Sequence, residues 1–121
     1  MERKLITLLF TAIILAWAGS ASAELKTTGS GADMQVDISG FPPNMKSAYG
    51  LFKVKCAKCH GLDRTITTLQ SGMAPSGSVF DNASIDAYGA KMLRKPDAEM
   101  SKQDVKTVNE LMRYMLDEAA K

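Results

Sequence analysis

Near its start the chain carries an apolar run, Leu5 to Trp17, interrupted by Thr7 and Thr11 and set behind Arg3 and Lys4. From Glu24 to Gly40 the balance reverses. Polar and small residues dominate, and Lys26-Thr27-Thr28-Gly29-Ser30-Gly31 reads as a mobile lead-in. Within it, Met34-Gln35-Val36-Asp37-Ile38 alternates apolar and polar, the period of a short extended segment lying on a domain. Pro42 and Pro43 stop that segment, because neither can donate to a strand ladder.

Beyond the prolines the period becomes helical. Met45, Ala48, Tyr49 and Phe52 share one face of a helix opened by Pro43 and Asn44. Gly61-Leu62-Asp63-Arg64 is a turn, Thr65 to Gln70 a short helix, and Ser71 to Ser78 a loop. Ser84 is expected to cap a helix through Leu93, with Ile85, Tyr88 and Met92 on one face. Lys95-Pro96-Asp97 breaks it. Ser101-Lys102-Gln103-Asp104 then resembles a capping box with Asp in place of Glu. The last helix carries its buried stripe at Val105, Val108, Leu111, Met112 and Met115. The predicted class is all-α.

Composition changes the picture only at the start of the chain. The 121 residues suit one domain, and 45% hydrophobic with 23% charged content is ordinary for a globular protein. The basic start, the apolar run and Ala21-Ser22-Ala23 together form a secretory signal pattern, with cleavage expected after Ala23. The run is short for a membrane span, no charged stop follows it, and no cysteine adjoins the cleavage site. The expected organisation is a signal peptide over 1–23, a flexible lead-in over 24–42 and one domain over 43–121. Removing Arg3 and Lys4 from 15 basic residues and Glu2 from 13 acidic leaves 13 against 12. That near-neutral balance offers no basic surface to nucleic acid.

The chemistry concentrates in Cys56-Ala57-Lys58-Cys59-His60, the C-x-x-C-H pattern of c-type haem attachment. Two thiols at this spacing can form thioethers to the two vinyl groups of a porphyrin, and the following imidazole can bind the iron as its fifth ligand. C-x-x-C alone also suits a thiol redox pair or half of a zinc site. The chain has two cysteines and one histidine, so a zinc site of four Cys and His ligands cannot be completed. No strand pattern leads into the motif, as a thioredoxin-like fold would require. Arg64 is placed either to grip a haem propionate with its planar guanidinium or to remain solvated. Pro75 is a candidate to offer its carbonyl to His60 Nδ1.

With the one histidine used, a sixth iron ligand is a methionine thioether, a lysine, water or nothing. Of the eight methionines only Met1 falls in the leader. Met45, Met112 and Met115 sit on helical stripes and read as packing. Met92 and Met100 flank the Lys95-Pro96 break, and Met73 lies in a loop.

From Ala48 onward the chain resembles a single-haem class I cytochrome c of bacterial export compartments. The residues that carry the likeness are Phe52, C-A-K-C-H-G at 56–61, K-M-L-R-K-P at 91–96, and Met100-Ser101 opening the final helix. The likeness implies a small helical fold wrapped around one covalent haem, attached after export to the periplasm. It implies that Met92 is the sixth ligand and Met100 the apolar residue that starts the last helix, with Met100 and Met73 as the other candidates. The chain departs from the family in two places. Of the usual glycine and proline after the haem histidine only Gly61 is in place, and Leu93 stands where some members carry proline after the ligand.

The expected function is one-electron transfer between redox proteins rather than enzymatic turnover. Lys53, Lys55 and Lys58 on one side, with Lys91, Arg94 and Lys95 on the other, would form a collar that steers acidic partners. A ligand sensor or peroxidase-like haem protein with an open sixth site is the alternative, although no distal histidine exists. A haemless thiol protein is the third.

Overall fold

The computed structural model describes residues 25–121, so the expected signal peptide lies outside the described residues. They contain four α-helices: α1 Pro43–Cys56, α2 Asp63–Ser71, α3 Asn82–Leu93 and α4 Lys102–Ala119. Short 3₁₀ turns lie at Gly31–Asp33 and Pro96–Ala98. Two-residue strands, β1 Thr27–Thr28 and β2 Gln35–Val36, pair antiparallel with Thr27 opposite Val36. The all-α class therefore holds, with that small hairpin added.

Each helix begins and ends for a local reason. Pro43 occupies the first turn of α1, where a missing N–H costs no hydrogen bond. Lys53 and Lys55 stand in its last turn, at the negative end of the helix dipole. α2 stops at Gly72, whose φ of +66° is left-handed and whose N–H donates to the Thr68 carbonyl at 2.9 Å. Ser101 and Asp104 form the expected capping box on α4, with both reciprocal bonds at 3.0 Å.

The cap of α3 differs from the expectation. Asp81 is the N-cap, and its carboxylate accepts the Ser84 N–H at 3.0 Å. Ser84 sits three residues inside and returns the bond to Asp81 N–H at 3.3 Å. Asp and Ser are both strong cap formers. The extended backbone of Asp81, after Phe80 buries its ring, fixes which one leads.

α4 is the axis of the core. Leu111 and Met115 are fully buried, and α1, α2 and α3 all pack against this helix. Phe52, Ile66, Leu69 and Ile85 complete the innermost layer. α3 and α4 approach closely at Gly89, where an added Cβ would lie 2.7 Å from the Asn109 amide and 3.0 Å from Val105 Cγ1. Phe41 meets Tyr114 edge to face, with ring centroids 4.9 Å apart.

The segment that composition marks as a lead-in is built into this core. Leu25 and Val36 are both 4% exposed. Val36 N–H donates to the Tyr49 hydroxyl at 2.8 Å, and Gln70 Nε2 donates to the Leu25 carbonyl at 3.2 Å. Two apolar side chains in a polar stretch carry little weight in composition, yet they suffice once they reach the groove beside α1 and α2. The alternation over 34–38 is the part of the sequence that foretells this.

Candidate haem-attachment site

Cys56 is the last residue of α1, and the chain turns immediately after it. The thiol of Cys56 is half-buried against the core, while Cys59 is exposed. Both cysteines are free thiols. Burial pushes the Cys56 thiol up to about 11, so it stays protonated at neutral pH.

His60 is half-buried in the same turn, with Nδ1 3.0 Å from the Gly61 carbonyl. A carbonyl can only accept, so this contact requires the proton on Nδ1. Nε2 is then left with its lone pair, as a metal-binding imidazole needs. The partner is therefore Gly61 and not the Pro75 carbonyl expected from the sequence. Pro75 instead lines a groove of about 340 Å³ with Asp63, Arg64, Thr67, Thr68 and Met73. A contact between adjacent residues needs no loop to swing across, which is why the local carbonyl prevails.

Gly61 also lies under the N-terminal segment. A Cβ there would stand 2.6 Å from Asp63 Oδ1 and 3.1 Å from Ala32 Cα. The 3₁₀ turn at Gly31–Asp33 thus covers the turn that carries His60. Nothing in the local sequence around Ala32 signals this contact, because it joins residues about thirty positions apart.

The seven methionines among the described residues sort by burial. Met112 and Met115 belong to the core, and Met34, Met45 and Met100 pack against it. Met73 is 49% exposed beside Arg64. Met92, in the last turn of α3, is half-buried and takes no part in the core cluster. Met92 and Met73 are therefore the two thioethers outside the core cluster. Arg64, in the first turn of α2, is exposed and has no ion-pair partner among the described residues.

The lysines divide too. Lys58 Nζ pairs with Glu99 Oε2 at 2.6 Å, and Lys55 Nζ donates to the Glu99 carbonyl at 2.7 Å. The Lys58 hydrogen bond, then the charges of Lys58 and Lys55, hold the Glu99 carboxyl below its ordinary range. Lys53, Lys91, Arg94 and Lys95 are exposed and have no ion pair among the described residues.

On the side of the fifth ligand these groups fit a c-type haem. The thiols are free, one facing the core and one facing solvent, and the imidazole presents Nε2. No group of three His, Cys, Asp or Glu side chains converges among the described residues. Comparison with family models, curated proteins and solved structures returns no match to this chain.

Proposed function

We propose that this chain is a periplasmic one-electron carrier that holds a single haem through thioethers from Cys56 and Cys59. The observation that carries the reading is the turn after α1. There the C-x-x-C-H motif presents two free thiols and an imidazole whose Nδ1 proton rests on the Gly61 carbonyl. When bound, the haem supplies a ferrous–ferric couple that takes up and gives back one electron.

The protein's own part is to bind, orient and exclude water. His60 Nε2 would bind the iron, with the Gly61 carbonyl holding its ring. The Met92 thioether, half-buried and outside the core cluster, would be the sixth ligand. Arg64, with no acidic partner among the described residues, would serve a propionate. Among the described residues no helix is long and apolar enough to cross a membrane. Partners are other redox proteins. Lys53, Lys91, Arg94 and Lys95 are the charges left to steer acidic ones, since Glu99 already balances Lys58.

The test is expression with haem-attachment machinery, followed by intact mass and visible spectra. A mass raised by one haem, with a low-spin reduced spectrum unchanged by carbon monoxide, supports the carrier. Prompt carbon monoxide binding transfers support to the sensor reading. The mass of the bare processed chain rejects both.

A further inference from the structure

We propose that Glu99 is a positioning residue that latches positions 94–99, the segment that follows Met92, onto the candidate haem-attachment turn. The proposal rests on the reading of Met92 as a ligand, although the latch itself stands on geometry alone.

Glu99 is the single non-glycine residue with positive φ among the described residues, at +49°. A residue with a Cβ adopts the left-handed region only when its surroundings hold it there. The surroundings here are two lysines that bracket Cys56. Lys55, one position before it, grips the Glu99 carbonyl, and Lys58, two positions after it, grips the carboxylate. These contacts span 44 and 41 residues of sequence.

Ala98 is half-buried and Met100, next to Glu99, packs on the core, but the stretch before them is open. Arg94, Lys95, Pro96 and Asp97 are exposed. Its own backbone bonds are short-range, Lys95 N–H to Met92 O and Ala98 N–H to Lys95 O. Among the described residues, the two lysine contacts are the only side-chain hydrogen bonds linking positions 94–99 to another element. The left-handed turn aims one residue's carbonyl and carboxylate at two lysines of the same helix end. Exposed ion pairs contribute little to global stability. Local opening of a lightly held segment is a smaller free-energy step, and a weak pair shifts it measurably.

The experiment uses the full mature chain with haem attached, checked first by intact mass. Trypsin cuts after Arg94, while the bond after Lys95 resists because Pro96 follows. Cleavage after Arg94 and the rate of cyanide binding to ferric iron both report opening. Glu99→Gln should raise both by about two- to five-fold at low salt. Wild type should approach the variant at about 1 M salt, where screening reaches a few ångströms. The charge-exchanged pair Lys58→Glu with Glu99→Lys should restore slow opening. Glu99→Gly separates latch from turn. It relaxes the backbone yet removes the carboxylate, so faster cleavage supports the latch and slower cleavage overturns it. Unchanged cleavage in Glu99→Gln also overturns it. A faster cut with unchanged cyanide binding keeps the latch and rejects Met92 as the ligand. An unloaded chain fails the haem reading, while the cleavage assay still decides the latch.

Discussion

The turn after α1 and the segment before α4 meet at Glu99, yet they are built in opposite ways. The first rests on the core at both ends, with Ala57, Lys58 and Cys59 exposed between them. Leu62 is buried, Cys56 leans on the core, and the Ala32 backbone lies over Gly61. The second runs through solvent from Arg94 to Asp97 and is held by two lysine contacts. In the proposed function the turn would carry the fifth ligand and the tethered segment would adjoin the sixth, so perturbations of the two regions should separate.

The largest separation should come from the cysteines. Cys56→Ser with Cys59→Ser should abolish covalent haem, read as loss of the mass increment, while far-UV circular dichroism keeps its helical signal. Next come the methionines. Met115→Ala should cost about 2–5 kcal/mol in chemical unfolding, because the side chain is fully buried. Met92→Ala should cost the haem-free chain under about 1 kcal/mol, as its side chain lies outside the core. In the loaded protein it should still remove the sulfur-to-iron band of the ferric spectrum. An equal loss of stability in both variants would place Met92 in the packing and remove it as a ligand.

Alkaline titration tests the first region and the helix that leads into it, since both groups concerned lie in α1. Burial raises both the Cys56 thiol and the Tyr49 phenol above their ordinary values. A raised acid is held more tightly by the folded state. Its stabilisation is full below the unfolded value and is lost as pH rises towards the folded one. Stability of the haem-free chain should therefore fall between about pH 9 and 11 as Cys56 ionises, with the Tyr49 loss setting in above about pH 10. Thermal melts across this range should lose the lower part in Cys56→Ala and the upper part in Tyr49→Phe. A thioether does not ionise, so haem attachment should remove the Cys56 part alone.

The smallest effect concerns the α3 cap. Asp81→Ala should destabilise by about 1 kcal/mol, and Ser84→Ala by less, in urea unfolding. The reverse order would return the N-cap to Ser84.

How much of this could be read from the chain depends on the range of the interaction. The C-x-x-C-H motif, the proline start of α1 and the Ser101–Asp104 box are legible because each is a contact among near neighbours. The α3 cap was displaced by three residues because two good cap formers lie within one turn. Lys58 reads as a free charge until Glu99 is seen beside it. The lead-in reads as mobile until Leu25 and Val36 are found buried.

By itself the amino-acid order determined the helices, the Ser101–Asp104 cap of the last one and the thiol–imidazole cluster at 56–60, since period, capping and motif chemistry act over a few residues. Tertiary structure alone decided which methionines are spare, that the N-terminal hairpin roofs Gly61, and that Glu99 joins the two sides of the site. Those facts depend on which distant surfaces meet, and burial and ion pairing take their sign only after they have met.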